Sequence, residues 1–464
     1  MCKKIFIDTL GCAKNDYDSQ MLAASLIEKG CIVTQDAAEA DILIVNTCGF
    51  IEDAKRESIE RIFEYSDAKA KDVKLVVTGC LSERYHNELA EEMPEVDMFF
   101  GVNDYDDLPS ILLGETPGGN SKAVSESTRI KDTERMSDGR GGSRLSSDRV
   151  GTGLDNLRYR KRKFEKGAYS GVLKIAEGCN NACSFCAIPS IRGPFRSKRI
   201  EDCIREAQDM ADAGIRELIL IAQDTSQYGK DLYGEIRLPE LLHELCRIDG
   251  IEWIRLMYVY DNGITDELIR TIKEEPKICN YIDIPIQHVS DNVLRLMRRR
   301  STGASIKEAV QRLRDAIPDI HIRTTLLVGF PGETEEDVQQ LVDFIDEMKI
   351  DRMGAFAFSD EEGTASFEMD GKLDEETKQE RRDLVMQHQM AVSSELNERK
   401  VGKTFEIMVD EICGEGLYAG RSRYDSPEID CAVTFTSDEE LQPGDIVNVL
   451  IKESFEYDLE GVRV

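Results

Sequence analysis

Hydrophobic positions in the first 113 residues gather into short unbroken runs, set apart by longer stretches with a helical repeat. Lys4–Thr9, Ile42–Thr47 and residues 75–78 read as strands, and Ile42–Thr47 opens with four apolar residues in a row. Residues 16–29 put Met21, Leu22, Ser25 and Leu26 on one helical face, and 51–68 and 82–92 also read as helices. Unbroken apolar strands alternating with helices predict a parallel sheet covered on both faces. The alternation resumes from 167 to 397, with strands at 171–176, 217–222, 253–259, 281–286, 322–328 and 353–358. Between the first two, residues 199–213 carry a helical stripe of Ile200, Cys203, Ile204, Ala207, Met210 and Ala211. Six βα units predict an open, partial TIM-like barrel with its site at the carboxyl ends of the strands. From 398 the pattern shortens to runs at 405–409, 418–421, 432–436, 446–451 and 461–464, separated by Gly, Pro and Asp. That predicts a small antiparallel β-barrel. The fold class is therefore α/β and multidomain.

One segment has no apolar repeat. Residues 114–166 are dominated by Gly, Ser, Asp and Arg, as in Gly139-Arg-Gly-Gly-Ser143, and read as a flexible linker or surface insertion. The expected divisions are 1–117, a linker at 118–166, a core at 167–397 and the barrel at 398–464. The linker ends in the basic run Arg158-Tyr-Arg-Lys-Arg-Lys163, expected to be a solvated linker end rather than an RNA contact.

Charge narrows the partners. The 464 residues carry a formal net charge of −31, which disfavours stable nucleic-acid binding, since phosphate contacts need clustered Lys and Arg. The barrel region holds seven basic against sixteen acidic residues. An acidic face there repels phosphate and attracts a Lys/Arg-rich protein. Thirteen cysteines, no signal-like start and no apolar run of membrane length point to a reducing cytoplasm and no membrane partner.

The cysteines carry the candidate chemistry. Cys179, Cys183 and Cys186 lie in a C-x3-C-x2-C loop directly after the first strand of the central segment. Clustered thiolates suit iron, and three of them leave one iron of a 4Fe–4S cube open for another ligand. A closed zinc site or packed thiols are the alternatives; zinc usually takes four ligands, and none of the five histidines lies near the loop. Cys12, Cys48 and Cys80 each follow the carboxyl end of a predicted parallel strand, the edge where such sheets bind ligands. Three cysteines at equivalent ends suggest a second cluster, against a reading as three buried thiols. Cys203 and Cys246 fall on apolar helix faces, and Cys413 and Cys431 lack ligand spacing. The turn Val328-Gly-Phe-Pro-Gly-Glu-Thr334 offers backbone amides to a small ligand. His288 reads as structural.

Taken together, these features resemble the methylthiotransferase family of radical S-adenosylmethionine (SAM) enzymes, over nearly the whole chain apart from 114–166. The resemblance is nearest to the family's ribosomal-protein branch. It rests on Thr9-Leu-Gly-Cys-Ala-Lys-Asn15, Ile188-Pro-Ser-Ile-Arg-Gly193, Gln223-Asp-Thr-Ser-Gln-Tyr-Gly229, Asp231-Leu-Tyr-Gly234 and Phe358-Ser-Asp-Glu-Glu-Gly-Thr364. The tRNA-modifying branch typically shows Gly-Cys-Gln-Met-Asn, Pro-Tyr-Thr-Arg-Gly and Gln-Asn-Val-Asn at these places, and this chain does not.

The resemblance implies an N-terminal cluster domain, a radical SAM core and a C-terminal TRAM barrel. It implies that Cys179, Cys183 and Cys186 hold a 4Fe–4S cluster that binds and reductively cleaves SAM to a 5′-deoxyadenosyl radical. Phe185, Gln223, Gly329 and Gly332 would line the SAM pocket. Cys12, Cys48 and Cys80 would hold a second 4Fe–4S cluster carrying sulfur. The product would be a methylthio group on the β-carbon of an aspartate in the twelfth protein of the small ribosomal subunit, a basic partner met by the acidic barrel. An electron donor and a sulfur source are also implied, and no side chain serves as an acid–base catalyst. The competing readings are a tRNA adenosine methylthiotransferase and a non-catalytic two-cluster electron-transfer or cluster-carrier protein. The first expects a basic barrel; the second expects closed four-cysteine clusters and no SAM cleavage.

The linker is longer and richer in Gly and Ser than the family pattern leads one to expect. If it loops out from the site, deleting most of 118–155 leaves turnover largely intact in a SAM-dependent assay. A collapse of activity with both clusters loaded would refute this.

Overall fold

A computed structural model describes residues 2–115 and 157–464. Most of the expected linker, 116–156, lies outside the described residues. The chain divides into two compact units. The first comprises Met1–Phe164, Glu177–Asn181 and Ala187–Asp202; the second comprises Glu165–Ala176, Ala182–Cys186 and Cys203–Val464. Two short segments within the expected core, 177–181 and 187–202, thus pack with the N-terminal unit. No helix among the described residues is long and apolar enough to cross a membrane.

The first unit is built on strands β1 (Lys4–Thr9), β2 (Ile32–Val33), β3 (Ile42–Thr47), β4 (Lys74–Gly79) and β5 (Met98–Phe99), ordered β2-β1-β3-β4-β5. All neighbours are parallel. Alternate residues feed two apolar layers. Ile5, Ile44 and Val76 pack with Leu22 and Leu26 on one face, and Leu43, Val45, Leu75 and Val77 pack with Ile62 and Leu89 on the other. Each such side chain taken fully from water contributes about 1.5–3 kcal/mol. The helix expected over 82–92 is broken at Tyr85 into Cys80–Arg84 and His86–Glu92.

The basic run is solvated at Arg158, Lys161 and Lys163, as expected, but not at Arg160 and Arg162. Arg160 donates to Ser25 Oγ (2.8 Å) and pairs with Asp106. Arg162 is 4% exposed, donates to Gln20 Oε1 and lies over the rings of Tyr17 and Phe164. The planar Arg162 guanidinium stacks on aromatic faces while its stem stays apolar, so Arg162 acts as a packing residue and Arg160 as a hydrogen-bonded one.

The second unit holds β6 (Ser170–Lys174), β7 (Glu217–Ile221), β8 (Trp253–Leu256), β9 (Ile278–Asp283), β10 (His321–Val328) and β11 (Arg352–Ala357). They lie side by side in chain order, all parallel, as an open sheet. This is the expected partial barrel. Cys203 is fully buried and Cys246 nearly so, as their helical stripes predict.

Strands β12 (Thr404–Gly414), β13 (Leu417–Ser422), β14 (Val433–Thr436), β15 (Ile446–Ser454) and β16 (Leu459–Arg463) close a barrel in the order β12-β13-β14-β16-β15. The expectation of a wholly antiparallel barrel needs one correction. β14 and β16 run parallel, from Val433 opposite Leu459 to Thr436 opposite Val462. An odd number of strands in a closed ring cannot alternate direction all the way round, so one parallel neighbour pair is unavoidable.

The barrel seats on the sheet through buried ions. Glu217 accepts from Arg255 Nε (2.9 Å) and Ser170 Oγ (2.9 Å) and pairs with Arg421 of the barrel. Burial alone would raise the Glu217 carboxyl, but Arg421 and Arg255 outweigh it and hold it below the usual range. Nearby, Arg352 reaches Asp425 (2.7 Å) and Tyr281 donates to Asp430 (2.6 Å). Removing Glu217 by Glu217→Leu strands two buried guanidinium groups and is expected to cost about 3–5 kcal/mol. Urea unfolding followed by the fluorescence of Trp253, the single tryptophan, checks this. A cost near zero would mean the arginines find water instead.

Candidate metal centres

Register decides where the first three cysteines fall. β1 and β3 pair through Thr9 and Asn46, and β3 and β4 pair through Thr47 and Gly79. Three strands therefore end level, and the chain just beyond each carries Cys12, Cys48 or Cys80. Cys12 is exposed and stands at the N-cap position of helix Ala13–Glu28. Cys48 is buried, its amide donating to Ser58 Oγ (3.0 Å). Cys80 is buried at the start of the next helix.

The three sulfurs sense one another. Burial raises the Cys48 thiol and pushes that of Cys80 up to about 11; Cys12 adds to both shifts and Cys48 adds to that of Cys80. Among the described residues no three His, Cys, Asp or Glu side chains are set around one metal ion. The thiols are neighbours rather than a preformed single-ion cage. Gly11 lets them approach: its φ is +97°, and a Cβ there would stand 2.7 Å from Cys48 Cβ and 2.9 Å from its sulfur. A soft, all-sulfur donor set with no histidine fits an iron–sulfur cluster.

Behind the thiols lies a polar network that the motifs alone did not assign. Arg192, 2% exposed, donates through Nη1 to Asp18 Oδ2 (2.7 Å) and Glu177 Oε2 (3.2 Å), and through Nη2 to Asn15 Oδ1 (2.8 Å) and Cys80 Sγ (3.2 Å). Lys198, also buried, donates to Tyr17 OH (2.8 Å). Arg192 and Asn15 both sit inside quoted motifs. The only sequence signal was an arginine following Ile188-Pro-Ser-Ile191 and an asparagine three residues after Cys12.

The residues of the second cysteine motif are divided between the two units. Cys179 belongs to the first, where its amide donates to Gly193 O (3.1 Å) and its sulfur accepts from Asn181 N (3.4 Å). Cys183 and Cys186 belong to the second and share one turn, Cys186 N to Cys183 O (3.2 Å). The half-buried Arg299 guanidinium bonds to Cys183; burial alone would lower Arg299, but Tyr260, Cys183 and Asp261 outweigh it and hold it above its usual range. Ser184 between them is held by Met297 O and Leu296 O. Cys183 and Cys186, with a guanidinium beside one of them, match cluster ligation.

The expected pocket residues are all in the second unit. Phe185 packs edge-on against Phe330 (6.4 Å), which meets Phe358 in the same cluster. Gln223 is half-buried just past β7. Close by, Thr225 N and Oγ1 reach Tyr258 O and Met257 O. The glycine turn departs from expectation. The Gly329 amide donates to Glu333 Oε1 (2.9 Å) and the Gly332 amide to Gly371 O (3.0 Å), so neither is available to a ligand. Tertiary packing has used them, with Arg381 completing the Glu333 contacts. His288 is fully buried and accepts from Ser290 N (2.9 Å).

Comparison with known proteins adds three family models. The radical SAM superfamily matches residues 173–345, the uncharacterized protein family UPF0004 matches 4–101, and the TRAM domain matches 401–464. The chain is 44% identical over 460 residues to the ribosomal protein uS12 methylthiotransferase RimO of Clostridioides difficile (strain 630), covering 99% of this chain and 98% of that protein. It is equally similar to the protein of that name from Desulforamulus reducens, 44% over 457 residues and 98% of each chain. In fold it is similar to the radical S-adenosylmethionine methyltransferase TsrM from Kitasatospora setae, with a TM-score of 0.56 and 15% identity over 90% of this chain and 77% of that one.

Gly11→Ala tests the first site. Forcing an alanine into left-handed backbone costs roughly 1–2 kcal/mol, and its methyl displaces the Cys48 sulfur. Iron bound after anaerobic reconstitution is expected to fall by about one cluster's share. Gly30→Ala carries similar strain, with φ +84° and nothing within 4 Å, and should keep its iron. Equal iron in both variants would mean that Cys48 is not a ligand.

Proposed function

We propose a function that proceeds from one premise: the chain belongs to the RimO family of ribosomal protein uS12 methylthiotransferases. It is a radical SAM methylthiotransferase, using SAM and an iron–sulfur cluster. In this reading its substrate is the small-subunit protein uS12, modified at the β-carbon of an aspartate. Cys179, Cys183 and Cys186 would hold the SAM-cleaving 4Fe–4S cluster, and Cys12, Cys48 and Cys80 a second one. When bound, the clusters and SAM supply the electron, the sulfur and the hydrogen abstraction that an unactivated C–H bond demands. Support for a second cluster comes from the convergence of three strand-end thiols in the first unit, the single observation that carries the reading.

The chain's own residues supply position and dryness. Ser184, pinned on both sides, fixes the turn that presents Cys183 and Cys186. Phe185, Gln223, Gly329 and Gly332 would line the SAM pocket. Phe185 is held by Phe330, while the two glycines contribute shape rather than hydrogen bonds. In this reading the divisions at 117, 166 and 397 would separate the N-terminal cluster domain, the linker, the radical SAM core and the TRAM barrel.

The barrel supplies the partner. The exposed charged side chains of residues 401–464 are eleven carboxylates against Lys403 and Lys452. Asp410, Asp425 and Asp430 turn inward to arginines, so the outward face stays strongly negative even after they are discounted. Such a face speeds encounter with a Lys/Arg-rich protein and repels RNA. An electron donor and a sulfur source complete the requirements, and a ribosomal substrate suits a cytoplasmic enzyme.

Mass spectrometry of small-subunit proteins from cells lacking the gene, and from cells with it restored, tests the reading. A methylthio mass gain on uS12 is expected only with the gene. An unchanged uS12 alongside a tRNA adenosine that loses its methylthio group would replace it with the tRNA branch.

A further inference from the structure

Three ligand-bearing segments meet at one pair of side chains. Asn15 is fully buried and its orientation is over-determined. Its Nδ2 donates to Leu10 O (2.8 Å), two residues before Cys12, and to Thr47 O (3.1 Å), one residue before Cys48. Its backbone amide donates to the carbonyl of Cys12 itself (2.7 Å). With Nδ2 committed to two carbonyls, Oδ1 must face the other way, and there it accepts from Arg192 Nη2 (2.8 Å). The same Nη2 reaches Cys80 Sγ at 3.2 Å.

Arg192 is equally constrained. Its Nη1 side is clamped by Asp18 and Glu177, both nearly buried. A planar fork held on one side by two carboxylates and on the other by Asn15 has little freedom to turn. The N–H pointed at sulfur is therefore fixed by the fold. Asn46 backs the arrangement, donating to Asn15 O (3.0 Å) and Ser19 Oγ (2.9 Å), and Tyr105 OH donates to Asn46 Oδ1 (3.1 Å).

Hydrogen bonds and positive charge at ligand sulfurs tune the potentials of iron–sulfur centres. We propose that Arg192 is the positioning residue of the N-terminal cluster, donating an N–H···S bond to Cys80 that holds this ligand in register with Cys12 and Cys48 and raises the cluster's reduction potential. The inference rests on the reading of Cys12, Cys48 and Cys80 as cluster ligands. Its physical logic is simple: reduction adds negative charge, and a fixed guanidinium beside one sulfur favours the more negative state. Arg192 also lies six residues after Cys186 in the chain, so the segment that follows one cysteine set carries the tuning charge of the other.

The test uses the full chain with Cys179, Cys183 and Cys186 replaced by alanine, so that any remaining cluster is the N-terminal one. Iron and sulfide are counted, and the midpoint potential is measured by electron paramagnetic resonance during redox titration. In this background Arg192→Gln is expected to keep its cluster and shift the midpoint to more negative potential, with Arg192→Lys between the two. Asp18→Asn, which relieves Arg192 of one counter-charge, is expected to shift it the other way. This second variant keeps the test decisive should Arg192→Gln fold poorly. A role in folding alone would lower stability and leave both potentials unmoved, which would overturn the proposal. If the triple-alanine chain holds no cluster, the ligand assignment falls and this inference with it; a cluster whose potential ignores Arg192 and Asp18 refutes the inference alone.

Discussion

The parallel register of β1, β3 and β4 is the constraint on which the first site depends. A parallel sheet delivers the carboxyl ends of its strands to one edge. Because Thr9 stands opposite Asn46 and Thr47 opposite Gly79, cysteines some thirty residues apart in sequence leave that edge side by side. A slip of one residue would turn every side chain of the moved strand to the other face and part the thiols. The two apolar layers that fix the register are thus also what gathers the sulfurs. Stability and site geometry are set by the same residues.

The rest of the molecule handles charge. A chain of net −31 places several of its cations inside: Arg192 in the first unit, and Arg255, Arg352 and Arg421 in the second. Each is met by carboxylates that are themselves buried. Such pairs add little net stability, since desolvation takes back most of the Coulombic gain, but a lone survivor is costly. They therefore act as keys. Asp425 and Arg421 belong to the barrel, and their partners Arg352 and Glu217 belong to the sheet strands, so one seat satisfies all of them. Turning these ions inward leaves the outer barrel surface almost wholly acidic.

Much of this was legible in the pattern of apolar residues. Lys4–Thr9 and Ile42–Thr47 are each built around an unbroken apolar run, and Ile42–Thr47 is buried along its whole length. Among the six parallel strands of the core, Glu217–Ile221 and Trp253–Leu256 are buried along their whole length, while His321–Val328 buries alternate residues. What the pattern could not carry is pairing between distant residues. Arg192 and Asp18 stand 174 positions apart, and nothing local tells an arginine that packs from one that is solvated. Arg160 and Arg162 misled for that reason, in a run that looked like linker. The amides of Gly329 and Gly332 misled differently: a glycine turn before a helix offers N–H groups on paper, and only packing reveals that Glu333 and Gly371 have taken them. The parallel pair in the barrel was open to reasoning, since five strands in a ring leave no alternative.

Burial of the thiols adds a last constraint. Removal from water raises the Cys48 and Cys80 thiols, that of Cys80 to about 11, so the metal-free chain holds both as neutral groups at physiological pH. A metal ligand must be the thiolate, and binding therefore expels protons. A preformed trio of thiolates beside Asp18 and Glu177 would pile negative charge into a dry site of an already acidic protein. Keeping Cys48 and Cys80 protonated until a cation arrives avoids that repulsion, and Arg192 offsets the part that remains. The same arginine that meets Asp18 and Glu177 in the empty site is positioned to bias the filled one, where Cys80 would be a thiolate.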